Sequence, residues 1–466
     1  MREGQFMFTV EEITAITEGA LIQGNEGTIV TSIHFDSRQL TDGSLFVALT
    51  SGARDGHEFL AAAADKGAVA AFVSNQELAL AANVPNSFAL ILVPDTEKAF
   101  QQLARIYRNR LSIPIAAITG SNGKTTTKDI LAHLLSGSKH VYKTYKNFNN
   151  HLGVPLSLLQ ITPDTEAAVL ELGMNHAGEI DLLAGIVRPT FSVITNVNDA
   201  HIEFFESREA IAQAKGELLG HTNPDGFACL NLDNSLVSAL APLNPCKTYF
   251  YHVQHDGEDV VTADITASDL SSDENGSHFT VTYAEGQFRC FMPLFGDYNV
   301  SNALPGIFIA RKLGLSEEEI THQLANLSIS AMRFERSEGA NGLLIINDAY
   351  NASPSSMMAA VNTFLSVYPE RKKVLVLGDM FELGAQSTAY HREVGEKLRA
   401  LNTSFTLVAI GDAARYLAEG YGEGAHYFAS KEDAAAYLEA FKNDQYALLL
   451  KASRGMKMET LLDALR

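Results

Sequence analysis

The chain has 466 residues, 46% of them hydrophobic and 19% charged, and a formal net charge of −20. This length predicts about three domains of roughly 150 residues each, and the apolar content excludes a disordered chain. The acidic balance argues against nucleic acid or an anionic membrane as a partner, so local loops, arginines or metal ions must hold any anionic ligand.

Three cysteines, Cys229, Cys246 and Cys290, are scattered along the chain. Their odd number and wide spacing favour neither a disulfide framework nor a metal knuckle, and they fit a reducing compartment. Residues 1–17 lack the apolar stretch of a signal peptide, and no run of 18 apolar residues predicts a membrane-spanning helix. We therefore expect a soluble cytoplasmic protein.

The first piece of the chain mixes short strands and helices. Apolar runs predict strands at 45–49, 69–73 and 89–93, and helices are expected at 58–66 and 97–108. Pro114 stands just before the next strand and marks a boundary. We expect an N-terminal domain over residues 1–111.

A strand, a glycine turn and a helix follow one another at residues 115–135. The turn has the sequence Gly120-Ser121-Asn122-Gly123-Lys124-Thr125-Thr126. Its glycines let backbone N–H groups surround an anion, and the helix N-terminus adds about half a positive charge. In such a loop the lysine reaches the β- and γ-phosphates and the threonine hydroxyl binds Mg²⁺. The usual spacing places a glycine at 118, where this chain has Ile118, so the loop is a tighter variant. A chance Gly-Lys-Thr in a surface turn is the alternative.

The rest of the middle piece alternates strands with helices. Strands are predicted at 167–172 and 191–195, and helices at 178–187 and 208–219. The alternation indicates βαβ units and a parallel sheet, whereas residues 247–295 alternate polar with apolar residues and suggest an antiparallel addition. We expect a central domain over residues 112–331.

The last piece, residues 332–466, repeats the alternation and predicts a second doubly wound α/β unit. Its expected strands are 343–347, 373–378, 406–411 and 446–451, and its expected helices are 355–365, 389–400, 431–441 and 457–464. Ligands of such sheets lie at the carboxyl ends of the strands, where Asp348, Asp379 and Lys451 fall.

Several polar residues have both a functional and a structural interpretation. Glu171 ends a strand beside the phosphate loop, so it either holds Mg²⁺ or faces water. A lone histidine such as His201 is more often a surface or core residue than a ligand, and a helical lysine such as Lys215 is usually solvated. Asn299 and Asn302 share a helix face and could read a base edge, but Asn299 could equally cap the helix.

The remaining candidates follow domain boundaries or strand ends. Arg333 suits a phosphate, a carboxylate or an interdomain salt bridge. The string from Asp348 to Pro354 could form only a turn before a helix. The last strand is followed by two cations and a hydroxyl, which suit either an anionic group or a simple turn: Lys451, Ser453 and Arg454.

A set of short strings extends over nearly the whole chain. In order they are Asp36-Ser-Arg38, Phe46-Val-Ala-Leu49, Gly52-Ala-Arg-Asp-Gly-His57, Thr119-Gly-Ser-Asn-Gly-Lys-Thr-Thr126, Glu171-Leu-Gly173, Ala200-His201, Ala214-Lys-Gly-Glu217, Asn302-Ala-Leu304, Arg333, Asp348-Ala-Tyr-Asn-Ala-Ser-Pro354 and Lys451-Ala-Ser-Arg454. Together they resemble the Mur ligases, the ATP-dependent amino-acid ligases of peptidoglycan synthesis. The shortened phosphate loop is a feature of that family. The Tyr-Asn-Ala-Ser-Pro string is typical of the member that adds D-alanyl-D-alanine.

The resemblance implies three α/β domains: a small N-terminal one for the UDP-sugar substrate, a central P-loop domain with a parallel sheet for ATP, and a C-terminal Rossmann-like domain. It implies an ATP-dependent ligase that joins D-alanyl-D-alanine to UDP-N-acetylmuramoyl-tripeptide through an acyl phosphate, releasing ADP and phosphate. Such an enzyme serves cell-wall biogenesis, cell shape and cell division. We expect a monomer that binds only small molecules.

The resemblance also assigns roles to single residues. Gly120, Ser121, Asn122, Gly123, Lys124, Thr125 and Thr126 would bind the phosphates, and Thr125, Glu171 and His201 would hold two Mg²⁺ ions. Lys215 matches a lysine that related Mur ligases carboxylate with CO₂. Asn299, Asn302 and Arg333 would contact the nucleotide, and Asp348, Tyr350 and Asn351 would close over it. Ser37, Arg38, Asp55, Gly56, His57, Lys451, Ser453 and Arg454 would bind substrate.

Three positions depart from the family's pattern. Tyr298 stands where many members have histidine, Asn198 where glycine is common, and Ala452 where glycine is common. Asparagine tolerates positive φ, whereas alanine would be strained if the turn required it. Two other functions remain open: a sister ligase that adds a single amino acid, and a P-loop ATPase without ligase activity.

Overall fold

The computed structural model describes residues 7–52 and 54–466, and three large sheets follow one another along the chain. The first sheet has five strands in the order β2-β9-β8-β5-β4, where only β2 is antiparallel to its neighbour. The elements of this unit are β1 (Phe8–Thr9), α1 (Val10–Thr17), β2 (Ala20–Gln23), β3 (Ile29–Val30), β4 (Ser32–His34), β5 (Ser44–Val47), β6 (Thr50–Ser51), β7 (Arg54–Asp55), α2 (Leu60–Asp65), β8 (Ala70–Val73), α3 (Gln76–Ala81), β9 (Ala89–Leu92) and α4 (Thr96–Arg110).

Helix α4 joins the first unit to the central one. Its apolar face packs against α1 on one side and against two helices of the central unit on the other. Near its end, the Tyr107 hydroxyl donates to the Ile161 carbonyl at 2.6 Å, and Arg108 Nε donates to the Val187 carbonyl at 2.7 Å. One hydrophobic core therefore extends through both units.

The central sheet has nine strands in the order β11-β12-β10-β13-β14-β15-β16-β17-β18. Its strands are β10 (Ile115–Thr119), β11 (Val141–Lys143), β12 (Ala167–Glu171), β13 (Phe191–Ile194), β14 (Phe227–Asn231), β15 (Lys247–Val253), β16 (Ile265–Ser272), β17 (Ser277–Tyr283) and β18 (Gly286–Met292). The pairing is parallel as far as β16, so only β17 and β18 form the antiparallel part. The antiparallel region is therefore smaller than the sequence suggested, and it continues the main sheet.

Helices cover both faces of the central sheet. They are α5 (Lys124–Ser136), α6 (Gly153–Leu159), α7 (Glu179–Val187), α8 (Arg208–Gly216), α9 (Ser235–Ser238), α10 (Asp297–Lys312) and α11 (Glu317–Ala325). One face packs on α5, α10 and α11, and the other on α4, α6, α7 and α8. Because the central strands are buried on both faces, they read as continuous apolar runs, which explains why β10, β12 and β13 could be predicted.

The third sheet has six strands in the order β19-β20-β24-β21-β22-β23, and only β19 is antiparallel. Its elements are β19 (Glu335–Glu338), β20 (Leu344–Asn347), α12 (Pro354–Ser366), β21 (Lys372–Gly378), α13 (Ser387–Ala400), β22 (Thr406–Ile410), α14 (Ala414–Tyr421), β23 (Ala425–Phe428), α15 (Lys431–Leu438), β24 (Tyr446–Lys451) and α16 (Leu461–Leu465). Separate cores on its two faces confirm the doubly wound prediction. Across the described residues, every helix is too short or too polar to cross a membrane.

Candidate active site

The phosphate loop lies where the sequence places it, between β10 and α5. Gly120 and Gly123 have φ angles of 149° and 82°, a region that side chains other than glycine rarely adopt. A Cβ atom on Gly120 would collide with Thr195, and one on Gly123 would collide with the Asn302 amide. Both glycines are thus required, and Asn302 lies directly against the loop.

Residues after β13 hold the loop from the other side. The Asn196 carbonyl accepts from the Ser121 N–H at 2.8 Å, and its side-chain oxygen accepts from the Asn122 N–H at 2.9 Å. The Thr195 hydroxyl donates to the Asn122 carbonyl at 2.5 Å. These contacts fix the loop backbone before a ligand arrives, which lowers the entropy cost of binding.

Lys124, the first residue of α5, folds back over the loop. Its Nζ donates to the Gly120 carbonyl at 2.8 Å and to the Ser121 carbonyl at 3.3 Å. Burial lowers the pKa of Lys124, and the charges of Glu171 and Glu382 oppose that shift. The partners of its ammonium are neutral carbonyls, so the positive charge is available to an anion.

Thr125 and Glu171 form a buried oxygen pair beside the loop. The Thr125 hydroxyl donates to Glu171 Oε2 at 2.8 Å, and the Asn149 amide donates to Oε1 at 2.9 Å. Mg²⁺ prefers oxygen ligands and is usually bound by one or two carboxylates, substrate phosphates and water. The pair fits such a partial site, and over residues 7–52 and 54–466 no group of three or more His, Cys, Asp or Glu could hold a metal alone.

Lys215 and Glu382, which lies beside His201, are both within electrostatic reach of the loop lysine, Lys124. His201 has a φ of 65° and places Nδ1 2.7 Å from Glu382 Oε2 of the third unit. Positive φ therefore occurs at His201 rather than at Asn198. Lys215 on α8 is only 1% exposed. Burial, and then the charge of Lys124, lower the pKa of Lys215 well below its ordinary value.

The residues predicted to bind the nucleotide differ in burial and in their contacts. The buried Asn299 amide donates to the Phe295 carbonyl at 2.9 Å, which is the structural interpretation of this residue. The Arg333 guanidinium lies 4.3 Å from the centre of the Tyr350 ring, and its charge reaches Lys124. Asn351 is exposed at the start of the turn that precedes α12.

Asp348 and Lys451 pair with each other at adjacent strand ends. Lys451 Nζ lies 2.6 Å from Asp348 Oδ2 and donates to the Asn351 carbonyl at 3.1 Å. Asp348 Oδ1 accepts from the Phe334 N–H at 3.1 Å, so the pair also holds the connection between the central and third units.

The two residues predicted beside Lys451 differ in exposure. The buried Ser453 hydroxyl accepts from the Phe381 N–H at 2.8 Å, whereas the exposed Arg454 pairs with Glu459 at 2.5 Å. Ala452 lacks a positive φ, so the strain considered for alanine at this position does not arise.

The residues of the first unit that are predicted to bind substrate lie in two turns, at 37–39 and 55–59. The exposed Arg38 pairs with Asp36 at 2.7 Å and lowers the pKa of that carboxyl to about 2. Ser37 and Arg38 lie in a short 3₁₀ turn, Ser37–Gln39, which the Asp36 side chain caps.

His57 is buried, and both of its ring nitrogens have protein partners. Nδ1 lies 2.5 Å from Asp55 Oδ1, and Nε2 accepts from the Ser74 N–H at 3.0 Å. A Cβ on Gly56 would collide with the Leu49 backbone. In this arrangement His57 and Asp55 hold the turn, because Asp55 Oδ1 also accepts from the His57 N–H at 3.0 Å.

The structure gathers Lys124, Thr125, Glu171, His201 and Lys215 around one loop, whereas the substrate residues of the first unit belong to another sheet. Sequence reasoning missed three members of this site. Asn149 and Asn196 lie in asparagine-rich strings after β11 and β13, and Glu382 lies four residues after β21. Polar residues following strands were the available signal.

A cleft of about 750 Å³ lies elsewhere, between the end of α5 and the start of α11. It is lined by residues that include Leu134, Leu315 and Glu317 and contains none of the predicted site residues. We therefore place the candidate site by its chemistry.

Comparisons with known proteins match most of the chain. Residues 118–310 match the model of the Mur ligase middle domain, and residues 332–454 match that of the Mur ligase, glutamate ligase domain. The UDP-N-acetylmuramoyl-tripeptide–D-alanyl-D-alanine ligase of Bacillus subtilis (strain 168) is 38% identical, with 97% of each chain covered.

Solved structures show the same relationship. A crystal structure of MurF from Acinetobacter baumannii is similar with a TM-score of 0.89 and 30% identity, covering 99% of both chains. A structure of MurF ligase from Thermotoga maritima in complex with ADP has a TM-score of 0.81 and 28% identity, covering 93% of this chain and 96% of that one.

Proposed function

This chain belongs to the Mur ligase family, and from that premise we propose that it joins D-alanyl-D-alanine to UDP-N-acetylmuramoyl-tripeptide in an ATP-dependent reaction of peptidoglycan synthesis. Relatives named for this activity match nearly the full length of the chain. The observation that carries the proposal is the juxtaposition of Lys124 with the pair of Thr125 and Glu171 on a fixed phosphate loop.

The reaction has two steps. An oxygen of the tripeptide carboxylate attacks the γ-phosphorus, and the bond to ADP breaks, which gives an acyl phosphate. The amine of the dipeptide then attacks the acyl carbon, phosphate leaves, and the amine loses a proton. A carboxylate accepts an amine only after such activation. Because phosphoryl transfer depends on positioning and charge stabilisation, we assign Lys124 and the backbone N–H groups at the start of α5 to the transferring phosphate.

We propose that Thr125 and Glu171 hold one Mg²⁺ ion and that His201 contributes to a second. The oxygen pair fits the preference of Mg²⁺, whereas imidazole is a softer ligand than this metal prefers, so phosphate and water oxygens would have to supply most of the second site. Bound Mg²⁺ would supply charge neutralisation between the phosphates. Asn149 keeps the Glu171 carboxylate in place for that role.

We propose that Lys215 carries a carbamate. Burial and the nearby Lys124 charge favour the neutral amine, which is the form that reacts with CO₂. The amine nitrogen bonds to the CO₂ carbon and loses one proton to water, and the resulting carbamate anion would offset the Lys124 charge and support a metal ion. The low pKa of Lys215 is the support for this step.

The other predicted residues keep their proposed roles, with adjustments from their contacts. We assign Asn302 and Arg333 to the nucleotide, together with Tyr350 and Asn351 of the third unit. Asn299 binds the Phe295 carbonyl, so we assign it an indirect role in which it fixes the backbone beside the nucleotide. We assign the UDP end of the substrate to Ser37, Arg38 and Asp55, on a turn that Gly56 and His57 shape. We assign a structural role to Asp348, Lys451 and Ser453, which hold the backbone around the strand ends. Arg454 is exposed, and we assign it to the substrate.

We also propose domain boundaries near residues 111 and 331, a monomeric enzyme and a cytoplasmic site of action. Three unpaired cysteines support the reducing location. The boundary near 331 is supported by the positive φ angles of Met332 and Phe334 on either side of Arg333.

The test is product formation. We expect ATP, Mg²⁺, UDP-N-acetylmuramoyl-tripeptide and D-alanyl-D-alanine to give the pentapeptide product, detected by mass spectrometry. Product should require the dipeptide and disappear in Lys124→Ala. Turnover of a UDP-muramoyl-dipeptide with a single amino acid would instead identify the sister ligase, and phosphate release without any peptide product would identify an ATPase.

A further inference from the structure

An acidic side chain of the third unit enters the phosphate site of the central unit. Glu382 lies in the loop after β21, and its Oε2 is 2.7 Å from His201 Nδ1. This contact, and then the charge of Lys124, keep the pKa of Glu382 below its ordinary value. Glu382 is therefore within electrostatic reach of the phosphate-binding lysine, although it belongs to a different sheet.

The backbone at both ends of this contact is unusual. His201 and Glu382 have φ angles of 65° and 62°, which are uncommon for residues other than glycine. Such conformations cost energy and persist where the surroundings enforce them, often at functional sites. Here they bring two side chains together from separate units.

The loop that carries Glu382 is fixed within its own unit. The Met380 N–H donates to the buried His391 Nε2 at 2.9 Å, and the Phe381 N–H donates to Ser453 Oγ at 2.8 Å. Two consecutive backbone groups are thus bound by side chains from α13 and from the segment after β24. The position of Glu382 is set before it meets the central unit.

The same loop docks on the segment that follows β13. The Glu203 N–H donates to the Glu382 carbonyl at 3.4 Å. A Cβ on Gly384 would lie 3.2 Å from Glu203 Cγ, so the two backbones approach closely. The loop after β21 therefore packs against the segment after β13, and Glu382 and His201 are part of this contact.

We propose that Glu382 is a positioning residue for the ligase reaction, which holds the imidazole of His201 so that Nε2 remains free for the phosphate and metal site. This rests on the proposed function. Carboxylates that bind the far nitrogen of a ligand histidine fix its tautomer and ring orientation. The Nδ1–H bond is not aligned with the carboxylate here, so rotation of the ring would complete the hydrogen bond.

This role differs from that of a simple interdomain ion pair. Because Glu382 comes from the third unit, the metal and phosphate site is complete only when that unit lies over the central one. An ion pair alone would affect how the units adhere, whereas a positioning residue also affects metal binding at His201. Glutamine can accept the Nδ1–H hydrogen bond without a charge, so it separates the two roles.

The experiment measures Mn²⁺ binding by electron paramagnetic resonance in the full-length protein with ADP present. We expect Glu382→Ala to weaken Mn²⁺ binding about 10- to 100-fold and Glu382→Gln to recover part of the loss. The matched control is Glu396→Gln, which removes an exposed carboxylate from α13 of the same unit. Melting temperatures of all variants should stay close to that of the wild type, since the Glu382 side chain is 45% exposed.

Mn²⁺ affinity within twofold of the wild type in Glu382→Ala would overturn the proposal, as would a wild type that binds no Mn²⁺ with ADP. A lower melting temperature with unchanged affinity would leave only an ion pair and would also overturn it. The assay requires no peptide substrate. If the ligase product is absent but Mn²⁺ binding still depends on Glu382, the proposed function fails and the positioning contact stands.

Discussion

Lys451 ends a central parallel strand and Lys124 follows one across a short loop, yet the surroundings of these two lysines differ. Lys124 Nζ is bound by the carbonyls of its own loop, whereas Lys451 Nζ lies 2.6 Å from the Asp348 carboxylate. The Lys124 ammonium can therefore pair with an incoming phosphate, whereas the Lys451 ammonium is already neutralised by Asp348. Position at a strand end therefore indicates a site, while the partner of the charge decides whether it binds ligand or holds structure.

The difference extends to the neighbours of each lysine. Around Lys124 the loop is fixed through the Ser121 and Asn122 N–H groups, which bind Asn196, while the Lys124 ammonium contacts only neutral carbonyls. Around Lys451 the partner Asp348 also binds the Phe334 N–H, so the pair holds the connection between units. Substitutions should separate an effect on catalysis from an effect on stability.

The largest expected effect is on catalysis, in Lys124→Ala. Removing a charge that stabilises the transferring phosphate should lower kcat by about 10²–10³-fold, with little change in melting temperature because no carboxylate loses a partner. Steady-state rates and thermal unfolding measure both. The control is Lys98→Ala, an 82% exposed lysine on α4. If Lys124→Ala lowers the melting temperature but leaves kcat unchanged, the comparison is wrong.

Lys215→Ala tests the buried lysine of α8. If Lys215 acts as a carbamate, its removal should lower activity about 10- to 100-fold, and acetate or formate should restore part of it. A ¹³C-labelled carbamate signal in the wild type, absent from the variant, would support the same chemistry. Full activity of Lys215→Ala would eliminate this role.

Lys451→Met should act on stability. The change leaves the partly buried Asp348 carboxylate without its partner and should lower the free energy of unfolding by about 3 kcal/mol. Denaturant unfolding measures it, and the double variant with Asp348→Asn should recover part of the loss. If Lys451→Met lowers the free energy of unfolding no more than Lys98→Ala does, the pair does not stabilise the fold. Lys451 would then again be a candidate for binding ligand.

The smallest effect concerns Asp36 in the first unit. Its folded pKa of about 2 is below the ordinary value of 3.8, so its contribution is present above that value and is lost as pH falls towards the folded pKa. Wild type should lose slightly more stability than Asp36→Asn between pH 4 and pH 2, by less than about 1 kcal/mol, since Arg38 is exposed. Identical acid profiles would show that the pair does not hold the turn.

The phosphate loop could be predicted because its strand, glycines and helix are contiguous in sequence. The pairing of Asp348 with Lys451 could not, since 103 positions separate the residues and only the sheet order brings them together. The resemblance gives His57 as a substrate residue, but the sequence does not show that its ring accepts from the N–H groups of Ser74 and Asn75, which follow another strand. Short elements such as β11 lack enough residues for a periodic pattern.

The most direct test of the account follows oxygen through the reaction. We would label the terminal carboxylate of the UDP-N-acetylmuramoyl-tripeptide with ¹⁸O, add ATP, Mg²⁺ and D-alanyl-D-alanine, and analyse the released phosphate by mass spectrometry. If the carboxylate attacks the γ-phosphorus, one ¹⁸O atom is transferred to phosphate for each amide bond formed. Amide product with unlabelled phosphate would contradict the acyl phosphate and the role assigned to the loop.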